Sequence, residues 1–128
     1  MARIIEAFAP IGKGASRSHR PIDLVHLAKQ TLGDSGLEYE VLRTYEQYMQ
    51  STFAKLENSV TPAELIMHLH SLRGASSGVG AWGIADLAMI AEDEVRAGIV
   101  NPERIDDIDM AVHEVSAFIG ELLATEAE

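Results

Sequence analysis

Residues 101–123, NPERIDDIDMAVHEVSAFIGELL, decide the architecture. Apolar side chains recur at Ile105, Ile108, Val112, Val115, Ile119 and Leu122, in alternating steps of three and four. On a helix of about 3.6 residues per turn this draws one narrow stripe. Such a stripe is the seam between nearly antiparallel helices that cross at about 20°. Asn101 supplies an N-cap and Pro102 the first helical position.

Working outward, the same grammar repeats. Thr61-Pro-Ala-Glu64 is a capping box with proline at the first helical position, and Leu65, Leu69, Leu72, Ser76 and Val79 come after it at the same spacing. A break near Gly80 leads to a helix carrying Ile84, Leu87, Ala88, Ala91 and Val95 that stops at Gly98. Upstream, Ser35-Gly-Leu-Glu38 reads as a capping box opening a helix to about Asn58, with Leu42, Tyr45, Met49, Phe53 and Leu56 as its stripe. Asp23 caps a short helix that ends near Leu32 and is closed by Gly33. Strand periodicity is missing. The predicted fold is all-α: an up-down-up-down antiparallel four-helix bundle with a short extra N-terminal helix across one end. Residues 1–20 form an N-terminal extension or linker, in which residues 2–8 hold a candidate helical turn around Ile4, Ile5 and Phe8. Residues 21–128 form the bundle domain.

The 128 residues suffice for one domain with an aliphatic core, since 47% are hydrophobic and only 5% aromatic. With no cysteine, disulfides, iron–sulfur clusters and thiolate zinc sites are excluded. A formal net charge of −10 argues against nucleic acid as a partner, because phosphate contacts need clustered cations. No apolar run reaches the length of a membrane span, and the N-terminus lacks the form of a signal peptide. The expected compartment is the cytoplasm, and the expected state is a monomer. There is no glycine-rich phosphate loop after a strand, and no cofactor is indicated.

Five histidines are candidates for chemistry: His19, His26, His68, His70 and His113. None has the spacing of a helical metal pair, so no metal site is expected. His70 stands out because it opens the run His-Ser-Leu-Arg-Gly-Ala-Ser-Ser-Gly-Val-Gly over residues 70–80. It lies on the edge of the core stripe. Arg73 and Gly74 share that edge one turn on, and Ser77 two turns on. A mid-helix glycine costs roughly 1 kcal/mol against alanine. Gly74 therefore serves either tight helix packing or clearance for another protein closing over the imidazole. If the turn centres near Ala81, the residue facing His70 in the returning helix is Glu92, on a stripe edge. Its carboxylate can accept a hydrogen bond from Nδ1–H, leaving Nε2 as a lone pair aimed outward. Otherwise Glu92 is a solvated surface acid. An oriented neutral imidazole on a smooth helical face suits reversible phosphoryl carriage, in which a partner supplies most of the site.

Residues 70–80 closely resemble the signature of histidine-containing phosphotransfer (HPt) domains: a histidine, any residue, an aliphatic residue, Lys or Arg, Gly, then small residues. Pro21-Ile-Asp-Leu-Val-His-Leu-Ala also looks like the start of some bacterial members, and the fold likeness spans about residues 21–125. The resemblance implies that His70 is the phospho-accepting residue. Arg73 takes the basic position, Gly74 the clearance position, and Glu92 the place of the family's carboxamide or carboxylate partner. It further implies a two-component phosphorelay, a response-regulator receiver domain or hybrid histidine kinase as partner, magnesium held by the receiver, and no kinase or phosphatase activity in this chain. Ile66, Met67, Gly74 and Ser77 are candidate docking residues, although Ile66 and Met67 equally suit the core. The competing reading is a non-phosphorylated helical adaptor that docks to signalling proteins. A metal-binding bundle is disfavoured, since no Glu-x-x-His pairs recur on facing helices.

Overall fold

The computed structural model describes residues 20–126. Among the described residues five helices succeed one another in chain order: α1 (Leu24–Gln30), α2 (Ser35–Glu57), α3 (Pro62–Val79), α4 (Trp82–Arg96) and α5 (Pro102–Glu126). The described residues contain no strand. α2 packs against α3 and α5, and α4 closes the square by packing against the same two helices. The turns joining these four are short, so each helix runs antiparallel to the one before it.

The predicted stripes meet at the centre. All five stripe residues of α2 and all five of α3 are buried. In α5, Ile108, Val112, Val115, Ile119 and Leu122 are buried, while Ile105 packs half-buried at the rim. Leu87 of α4 is likewise half-buried against the core. α4 buries Ile84 and Val95 near its two ends and three small residues, Ala85, Ala88 and Ala91, between them. Small side chains bring α4 and α3 close together, and that closeness matters for the site.

The α3–α4 turn depends on one backbone conformation. Gly80 has φ 83°, and the N–H groups of Gly80 and Ala81 donate to the carbonyls of Ser77 and Ser76 at 3.2 and 2.8 Å. This Schellman-type closure needs a residue free to adopt the left-handed region. α1 seals the same end. The Asp23 N–H donates to the Gly80 carbonyl at 2.9 Å, and Trp82 Nε1–H donates to the Asp23 carboxylate at 3.0 Å.

Two boundaries differ from the sequence reading. The cap of α2 is Asp34, whose carboxylate accepts from the Leu37 N–H at 3.0 Å. Ser35 is the first helical residue, and Glu38 is buried. Aspartate caps as well as serine does and adds a charge that favours the positive helix end, so it wins the neighbouring position. α1 ends at Gln30 rather than Leu32. Thr31 there turns its hydroxyl back onto the Leu27 carbonyl, and Leu32 takes a positive φ of 54°. The expected turn at residues 2–8 lies outside the described residues.

Candidate functional site

His70 sits midway along α3 with its side chain 68% exposed. Glu92 faces it from α4, at the height the hairpin register predicts. The imidazole Nδ1 lies 3.3 Å from Glu92 Oε1, the long end of a hydrogen bond, and donates when that nitrogen carries the proton. Among the described residues Nε2 has no hydrogen-bond partner, and the ring projects from the helix face.

Glu92 is no surface acid: only 4% of the residue is exposed. Three cationic or basic groups surround it. Arg96, one turn on in α4, donates Nε–H and Nη2–H to Oε2 at 3.2 and 2.8 Å. Arg73 of α3 holds Nη1 at 3.6 Å from Oε1, an ion pair longer than a hydrogen bond. Burial alone pushes a carboxyl group upward in pKa. Here the hydrogen bonds from Arg96 and then from His70 outweigh it, and Glu92 is held below its ordinary value. The carboxylate is therefore ionised at neutral pH and available to accept from Nδ1–H.

The rest of the exposed strip is bare. Apart from its chain neighbours and its own helix's backbone, a Cβ placed on Gly74 meets no described heavy atom within 4 Å. Tight packing against the described residues therefore does not explain this glycine. Ser77 lies half-buried on the same edge. The two apolar candidates separate: Met67 is 55% exposed, whereas Ile66 is half-buried and packs on the core. Arg73, Glu92 and His70 thus form one cluster, with Gly74 and Ser77 extending it along α3.

Arg96 was not singled out from the sequence. Its signal was the Glu92-to-Arg96 spacing of four in the last turn of a helix, where a cation also suits the helix end. An apolar groove of about 430 Å³ between α2 and α3, lined by Leu37, Val41, Tyr45, Tyr48, Ala75 and Val79 among others, was also not anticipated.

Two of the other described histidines, His26 and His113, have local partners. His26 Nε2 lies 3.2 Å from the Gly78 carbonyl, and its ring meets Trp82 edge-on. His113 bonds back to the Asp109 carbonyl at 2.8 Å, and His68 is half-buried on α3. His19 lies outside the described residues. Among those residues no group of three or more His, Asp or Glu converges as a metal site, and no helix is long and apolar enough to cross a membrane.

A family model of the Hpt domain matches residues 40–118, which include every residue of the cluster. The chain belongs to the Hpt domain family. As an Hpt protein it has a role in two-component phosphotransfer. Its fold is similar to that of the HPT domain from an Hpt sensor hybrid histidine kinase of Shewanella. The TM-score is 0.72 at 17% identity, over 82% of this chain and 95% of that one. At that identity the likeness concerns the fold alone. No curated protein sequence matches the chain.

Proposed function

We propose that this Hpt protein carries a phosphoryl group on Nε2 of His70, exchanged with the aspartate of a response-regulator receiver domain or of a hybrid histidine kinase. The observation that carries the reading is the exposed imidazole with its Nδ1 against a buried, ionised carboxylate.

The Nε2 lone pair attacks the phosphorus of the partner's aspartyl phosphate. A P–N bond forms, the P–O bond to the aspartyl carboxylate breaks, and the aspartate leaves as a carboxylate. The proton stays on Nδ1. The ring becomes a phosphorylated imidazolium, and its positive charge develops 3.3 Å from Glu92 Oε1. A fixed carboxylate there stabilises the charged ring more than it stabilises the neutral one, which lowers the barrier to transfer. Arg73, one turn along, supplies a hydrogen-bonding cation for the phosphoryl oxygens. Gly74 and Ser77 leave room for the partner's aspartate to reach the ring, and Met67 with Ile66 forms the apolar margin of the docking face. The step is reversible and the partner brings the magnesium, so the chain acts as a carrier with no kinase or phosphatase activity of its own. The carrier domain is residues 21–128, acting as a cytoplasmic monomer, with residues 1–20 as an extension.

Mixing the protein with a phosphorylated receiver domain tests this. Acid-labile, base-stable label should pass to the chain and be absent from His70→Gln. Label retained by that variant moves the site elsewhere, and docking without any label favours the adaptor reading.

A further inference from the structure

The buried carboxylate divides its two oxygens between two helices. Oε2 is gripped from within α4 by two N–H groups of Arg96, at 2.8 and 3.2 Å. Oε1 faces α3, with His70 Nδ1 at 3.3 Å and Arg73 Nη1 at 3.6 Å. We infer that Arg96 is the positioning residue of this cluster: by saturating Oε2 of Glu92 it keeps Oε1 turned to His70 and leaves Arg73 in a long ion pair, with its N–H groups available for the incoming phosphoryl group. The inference rests on the phosphotransfer reading above and deepens it.

The charge balance supports it. Glu92 carries one negative charge, and Arg96 neutralises it through two hydrogen bonds to a single oxygen. Arg73 is not needed for that and stays beyond hydrogen-bond distance. Its positive charge is then left over on the face where a phosphoryl group would add negative charge. No other described cation competes for Glu92. From α3 the groups facing it are His70 and Arg73, and from its own helix Arg96. α5, packed on the far side of α4, commits Arg104 to Glu94 at 3.0 Å instead.

Without Arg96, Oε2 would be an unpaired acceptor in a buried place, which polar groups avoid. Arg73 is the nearest donor able to fill it. Its guanidinium would then close on the carboxylate and compete with Nδ1–H, so one substitution disturbs both the ring and the phosphoryl-facing cation. Arg96 touches neither directly. It acts through Glu92, as an outer partner fixes the tautomer of a functional histidine.

The test uses the full chain with Arg96→Gln, Arg96→Lys, Glu92→Gln and the double variant Arg96→Gln/Glu92→Gln, each checked for helical content and amide dispersion. Long-range ¹H–¹⁵N correlation spectra read the His70 tautomer without phosphorylation. The parental ring should favour the Nδ1–H form. Arg96→Gln should shift it toward Nε2–H and slow transfer from a phosphorylated receiver by about tenfold, the scale seen when an orienting partner of a functional histidine is removed. Arg96→Lys, which keeps one charged donor, should recover part of both. In the Glu92→Gln background Arg96→Gln should change nothing further. An unchanged tautomer in Arg96→Gln, or an equal effect without Glu92, overturns the inference. If the parental chain takes no phosphoryl group at His70, the function proposed above fails, while the tautomer comparison still decides the role of Arg96.

Discussion

Replacing Gly74 by leucine should move stability and transfer in opposite directions. Gly74 lies mid-helix in α3, and a Cβ there meets nothing within 4 Å. The Cβ of leucine therefore meets no described neighbour outside its own helix, and leucine exchanges a poor helix former for a good one. That gain is about 0.8 kcal/mol, because glycine is less favourable than the good helix formers by roughly that amount. For a domain of this size it corresponds to a rise in Tm of about 3 °C. The same side chain adds a branched group of four carbons one turn from the imidazole. A receiver domain that brings its aspartate within bonding distance of Nε2 must pass over this spot. Forcing an extra side chain into a close-packed contact costs about 1–3 kcal/mol. If that cost falls on the transition state for transfer, the rate drops between about 5-fold and 150-fold. Thermal unfolding by circular dichroism and stopped-time transfer from a phosphorylated receiver read the two effects on one preparation. A lower Tm means that something in α3's surroundings occupies the space. Transfer within twofold of the parental rate means that no partner closes over this face. Either result refutes the clearance argument.

Other substitutions and titrations probe the rest of the account. Gly80→Ala should destabilise by about 1–2 kcal/mol, since φ is 83° and the new Cβ would sit 3.0 Å from Asp23; urea unfolding with no change in midpoint would contradict that assignment of the turn. Glu92 is held below its ordinary value of 4.5, so its stabilising contribution is complete above that pH and is lost as pH falls through the folded-state value. Parental stability should therefore fall more steeply below pH 4.5 than that of Glu92→Gln, and parallel curves would show that the ionised form is not favoured by folding. Burial raises Tyr45 to about 12, against a weaker opposing effect of its hydrogen bond to Ser76. The unfolded chain ionises this phenol first, so stability should decline above pH 10; an alkaline absorbance titration compared with Tyr45→Phe should show one tyrosine titrating near 12.

Much of this arrangement was legible in the sequence because it depends on period and height. The α3 and α5 stripes come directly from spacing, and Thr61 and Asn101 sit one residue before a proline, where little competes with them as caps. Asp34 and Ser35 are both good caps, so pattern alone could not choose between them. Glu92 was reachable because a tight antiparallel hairpin fixes which residues share a level, and its burial stems from the small alanines of α4 that draw the helices together. The number of cations it would hold was not reachable from its position. Arg96 was hidden among ordinary surface charges at helical spacing, and its importance depends on the carboxylate being buried. The groove between α2 and α3 is not legible in the sequence because it belongs to neither helix: Leu37 and Val41 lie beside the α2 stripe, Ala75 beside that of α3, and only their packing makes a concave surface.

The sharpest test concerns the atom that bears the phosphoryl group. The chain, labelled with ¹⁵N at histidine and phosphorylated by a receiver domain, can be studied by ³¹P and ¹⁵N NMR at alkaline pH, where the P–N bond survives. A phosphorus coupled to Nε2 of His70, with Nδ1 still protonated against Glu92, is the predicted result. Phosphorus on Nδ1, or on any other residue, would contradict the account at its centre.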